Sequence, residues 1–114
     1  SDYGNQWFAR YFDPLNGAIK QIAPDKRLLV DYNYNYYLHN QAVVMYALPT
    51  WPLLQAKNEA EVARSLEELK IGAIALNEMD SGWWQLTPLY SFLTNSDNAD
   101  LVKRNKYYDL YTLK

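Results

Sequence analysis

Apolar positions recur along the chain with two different periods, and the switches between them mark out the elements. From "WFARYF" to "AIKQI", Trp7, Tyr11, Leu15, Ile19 and Ile22 return every three or four residues, the repeat of one helix face. Asp13-Pro14 interrupts that repeat. Proline has no N–H to donate, yet its fixed φ suits the first helical position after an Asp cap. The expectation is a turn of helix before Asp13 and a second helix from Pro14 to about Gln21. "APDK" then makes a turn, "RLLVDY" reads as a short apolar strand, and "NYNYYLHNQ" as a short helix or turn. "AVVMYAL", rich in β-branched residues, reads as a second strand. "PTWPLLQAK" carries two prolines and reads as a loop, buried in part through Trp51 and Leu53.

The strongest helical signal is "NEAEVARSLEELK". Asn58 caps it, Glu61 stands three residues on in the capping-box position, and Val62, Leu66 and Leu69 form its apolar stripe. Gly72 lies just past its end, and "IGAIAL" is a third strand. A helix running into a buried strand is the mark of an α/β crossover. A further helix is expected from about Trp84 to Leu93, with Leu86, Leu89, Tyr90 and Leu93 on one side. "ADLVKRNKYYDLYTLK" reads as two strands joined at Asn105-Lys106. The fold class is α/β: a small three-layer, Rossmann-like sheet, mostly parallel, closed by a C-terminal antiparallel hairpin.

Composition narrows the function classes. The chain has 114 residues, 49% of them hydrophobic and 21% charged, which fits one folded domain. A net charge of -2 and a pI near 5.3 give no electrostatic footing for nucleic acid. The basic residues are scattered, and the one tight group is Lys103, Arg104 and Lys106. Without cysteine there is no disulfide and no thiolate metal site. No apolar run approaches the roughly twenty residues that cross a bilayer. "SDYGNQW" has neither the basic region nor the apolar core of a signal peptide; it reads as opening in mid-pattern, as a piece of a longer protein would.

Residues for chemistry are sparse. Four glycines, at 4, 17, 72 and 82, make no phosphate-binding loop, and no cofactor is expected. The single histidine, His39, sits beside Asn40 in a polar turn and reads as exposed or structural rather than as a catalytic base. With one His and no Cys, a metal would need carboxylates, and Glu78 with Asp80, or Asp97 with Asp100, are more simply turn and cap residues. Asp31 follows the first strand and Glu78 the third, the edge where open α/β sheets bind ligands. Two acids facing across a cleft could hydrolyse a glycoside; two acids that cap loops are the simpler reading. Aromatics, at 16%, are the anomaly. Tyr34, Tyr36, Tyr37, Trp83 and Trp84 fall at strand-to-helix junctions, where rings can bind sugars, meet a membrane interface or pack into the core.

Residues from about Ile22 to Leu113 resemble the soluble C-terminal domain of polytopic GT-C membrane glycosyltransferases, the group of the dolichyl-phosphate-mannose protein mannosyltransferases and bacterial aminoarabinose transferases. The resemblance is carried by Pro24-Asp25 with Leu28 to Val30, by Tyr36-Tyr37-Leu38, by Val43 to Met45, by Leu66 to Leu76 and by Leu110 to Leu113. In that family the catalytic carboxylate lies in the membrane part, so no catalytic residue transfers to this chain. The resemblance implies an extracytoplasmic, periplasmic domain. Its partner would be the membrane domain of the same polypeptide, and it could contact a lipid-linked sugar or glycan acceptor. Residues 1–21 would be a membrane-proximal helical segment and 22–114 a single α/β domain.

The function expected is a non-catalytic accessory domain of a glycosyltransferase that uses a polyprenyl-phosphate sugar, positioning the acceptor or bracing the membrane domain. The ligand or docking candidates are Asp31, Tyr34, Tyr36, Tyr37, His39, Glu78, Trp83 and Trp84. The alternatives are a free-standing module that binds carbohydrate or another small ligand, and a protein-interaction or oligomerisation domain.

Overall fold

The structure, a computed structural model, describes residues 2–30, 42–44, 51–77 and 86–114. Its helices are α1 (Asp2–Gln21), α2 (Trp51–Leu54), α3 (Glu59–Glu68) and α4 (Pro88–Thr94). Its strands are β1 (Arg27–Val30), β2 (Ala42–Val44), β3 (Ile71–Asn77), β4 (Ala99–Arg104) and β5 (Tyr108–Leu113). The five strands form one mixed sheet in the order β2-β1-β3-β5-β4. β1 pairs in parallel with both β2 and β3, and β5 pairs antiparallel with both β3 and β4. β4 therefore points the same way as β3, and among the described strands β5 alone runs backwards. The expected parallel trio and terminal antiparallel hairpin are both present.

Both faces of the sheet are covered, which is why its central strands read as unbroken apolar runs rather than as alternating ones. On one face Tyr11, Phe12, Leu15, Ala18 and Ile19 of α1 pack against Leu28, Val30, Ala73, Ala75, Tyr108 and Leu110. On the other, Val62, Leu66 and Leu69 of the α3 stripe join Leu89 and Leu93 of α4, over Leu29, Ile74, Leu76 and Tyr111. The pleat sorts β3 by size: Ala73 and Ala75 lie beneath the bulky face of α1, and Ile74 and Leu76 fill the opposite side.

Helix ends follow the sequence signals closely at α3. The Asn58 side chain accepts a hydrogen bond from the Glu61 N–H at 2.9 Å, and Glu61 Oε2 accepts from the Lys57 N–H at 2.7 Å. The capping box thus closes one residue early. At the other end the left-handed residue is Lys70, with φ 58°, whereas Gly72 stands inside β3. Its lack of a side chain serves another purpose: a Cβ there would meet Lys26 Cβ at 3.0 Å and Ile22 Cβ at 3.1 Å.

Three local expectations give way. Helix α1 runs unbroken through Pro14 instead of dividing at Asp13. Proline deprives the Arg10 carbonyl of its intrahelical donor, but Arg10 is exposed to water, and Tyr11, Phe12, Leu15 and Ile19 bury both flanks against one sheet face. "PTWPLLQAK" contains α2 rather than only loop, because Pro52 sits in its first turn, where no N–H is needed, and Leu53 is buried. Leu86 is 87% exposed and precedes α4, which starts at Pro88 with Thr87 Oγ1 accepting from the Tyr90 N–H.

Candidate functional site

Three neighbouring parallel strands end at one edge of the sheet. Val30, Val44 and Asn77 are their last residues, and the chain continues from them into 31–41, 45–50 and 78–85. All eight sequence candidates fall in the first and third of those segments: Asp31, Tyr34, Tyr36, Tyr37, His39, Glu78, Trp83 and Trp84 lie outside the described residues. What the described backbone supplies is the convergence of their points of departure at the carboxyl edge of β2, β1 and β3, the place where open α/β sheets take ligands.

A second group of residues comes together from α1 and the β4–β5 turn, beside the carboxyl end of β3, where Asn77 pairs with Tyr108. The Trp7 ring stacks on Tyr11 at 5.6 Å between centroids, inclined by 26°. Tyr11 meets Phe12 at 4.7 Å and the edges of Tyr107 and Tyr108 at 5.4 and 5.3 Å. The turn beneath them is held by Asn105, whose Oδ1 accepts from the N–H groups of Tyr107 and Tyr108 at 2.8 and 3.0 Å. The phenol of Tyr108, 2% exposed, donates to the Tyr11 carbonyl at 2.6 Å. Burial pushes the Tyr108 phenol up to about 12, opposed in part by the Asn105 side chain and assisted by the charge of Asp13.

Beside this cluster opens a cleft of about 390 Å³ lined by Arg10, Pro14, Lys103, Asn105, Lys106 and Tyr107. Among the described residues, three cations and no carboxylate line it. Lys106 Nζ stands 5.1 Å from the centre of the Tyr107 ring. Arg104, the third member of the basic group in the sequence, turns away and pairs with Asp109 through bonds of 2.8 and 3.0 Å.

Sequence reasoning held both halves of this site without joining them. "WFARYF" and the tight basic group were each visible, but they are separated by most of the chain, and only the register of the hairpin on α1 brings them together. Among the described residues no cluster of three His, Cys, Asp or Glu could hold a metal ion. Among them, too, no helix is long and apolar enough to cross a membrane. Comparison of the chain with family models, with curated proteins and with solved structures gave no match.

Proposed function

We propose that the chain is a non-catalytic, extracytoplasmic accessory domain of a bacterial membrane glycosyltransferase that draws on a polyprenyl-phosphate sugar. In this reading the fold is a small three-layer, Rossmann-like unit. The segments at the carboxyl edge of β2, β1 and β3 form its working face, where Tyr34, Tyr36, Tyr37, Trp83 and Trp84 meet an acceptor glycan or the membrane domain of the same polypeptide. Asp31 and Glu78 act there as hydrogen-bond partners, not as catalysts.

One observation carries the reading. Of the segments that resemble the GT-C family, Leu28 to Val30, Val43 with Val44, the end of Leu66 to Leu76, and Leu110 to Leu113 fall on β1, β2, β3 and β5, consecutive neighbours in the sheet. Tyr36-Tyr37-Leu38 lies outside the described residues. The N-terminal aromatic helix, with Trp7 43% exposed, suits a position close to a bilayer surface.

The test has two parts. The purified chain, given a polyprenyl-phosphate sugar and a glycan acceptor, transfers no sugar. The reading frame upstream of Ser1 encodes a series of apolar segments of about twenty residues each. Turnover by this chain, or a frame without such segments, overturns the assignment.

A further inference from the structure

We propose that the cleft between α1 and the β4–β5 turn is a binding site for the phosphate groups of anionic phospholipids, through which this face of the domain rests on a membrane surface. The inference rests on the cleft's own geometry and stands whether or not the parent protein is a glycosyltransferase.

The placement of the cations is specific. β4 contains a bulge between Leu101 and Lys103: Leu101 pairs with Tyr111, and the next paired residue, Lys103, is opposite Leu110. An unbulged strand would put Val102 opposite Leu110 and turn Lys103 toward the other face. The extra residue instead aims Lys103 to the α1 side, where Leu110 is buried. There it meets Arg10, one helical turn before Pro14, and Lys106 from the turn. Arg10, Lys103 and Lys106 are all exposed, and among the described residues none of them is in an ion pair. Among the described residues, a chain of net charge -2 has thus gathered three cations without an ion-pair partner in a cleft with no acid in its lining, so its complement is an anion.

The aromatic side of the cleft selects the source of that anion. Trp7 is 43% exposed while stacked on Tyr11, and Tyr107 is half-buried in the cleft wall. Amphipathic rings beside cations match the headgroup layer, where phosphate lies next to acyl chains. A soluble phosphate would use the cations and gain nothing from Trp7.

Co-sedimentation of the chain with vesicles tests the site. Phosphatidylcholine vesicles containing phosphatidylglycerol bind the chain at low salt, pure phosphatidylcholine vesicles do not, and added salt releases it. Arg10→Gln, Lys103→Gln and Lys106→Gln each weaken partitioning about fivefold. Trp7→Ala weakens it without altering the salt dependence. Circular dichroism checks that each variant remains folded, and all four positions are exposed. Failure to bind the anionic vesicles, or binding that the three cation substitutions leave unchanged, overturns the proposal. So does release of the chain from vesicles by millimolar glycerophosphate, which would make the cleft a site for a soluble phosphate ester.

Discussion

The phenol of Tyr108 donates a 2.6 Å hydrogen bond to the main-chain carbonyl of Tyr11, joining residues 97 apart in sequence inside the core. This bond anchors the α1 helix to the strand that follows the terminal turn. Tyr108→Phe keeps the ring and its edge-on contact with Tyr11 but removes the donor. The expected loss is about 1–2 kcal/mol of unfolding free energy in a denaturant titration. An unchanged midpoint would show that the ring alone holds the two elements together.

The same hydroxyl makes stability fall at alkaline pH. Its pKa rises from 10.0 unfolded to about 12 folded, mainly through burial, so between those values the unfolded chain has released a proton that the folded chain retains. The contribution is intact below about pH 10 and is lost as pH rises toward 12, by up to about 2–3 kcal/mol. Burial also raises Tyr111, with the charge of Asp109 adding to it, and acts in the same direction. Unfolding measured across this window should fall less steeply in Tyr108→Phe than in the parent; parallel curves would contradict the assignment.

Leu66 is 2% exposed at the centre of the α3 stripe. Leu66→Ala should cost about 2–5 kcal/mol, the range for a buried leucine whose surroundings close only partly around the space left. A loss below about 1 kcal/mol in thermal or denaturant unfolding would mean that α3 is not fastened through this residue.

Lys70 holds a left-handed conformation, φ 58°, at the end of α3, where its Cβ crowds the following carbonyl. Lys70→Gly should relieve this and raise stability by about 0.5–1 kcal/mol, after the larger entropy loss of glycine is counted. Gly72→Ala, two residues on, should do the reverse, because its Cβ would be pressed to 3.0 Å of Lys26 Cβ. Equal effects of the two substitutions would show that the turn and the strand start respond as one unit.

What the sequence disclosed follows from how local each signal is. The α3 helix was legible because its cap, stripe and length all lie within one short segment, and Asn58, Val62, Leu66 and Leu69 do what their spacing implies. The hairpin was legible from its turn residues. Pro14 misled, because its effect on a helix depends on what the flanks bury, and that is set by β1, β3 and β5 far along the chain. Leu86 misled for the same reason: an apolar residue beside a helix counts only if the helix has begun. The basic cleft depends on a one-residue bulge in β4 and on the packing of α1 against the hairpin. Neither leaves a periodic trace in the sequence.

The strand at Tyr108–Leu113 comes later in the chain than every other strand described, yet it sits between β3 and β4 and sends side chains into both cores. During synthesis, which delivers N-terminal residues first, β1, β2 and β3 can gather early, but the ladder on the β3 side stays open until this strand arrives. The arrival of β5, rather than local helix formation, therefore sets the moment at which the domain closes. Until then Ala73, Ala75 and the apolar face of α1 lack their covering of Tyr108 and Leu110, and a stalled chain would present that surface and the free edge of β3 to chaperones.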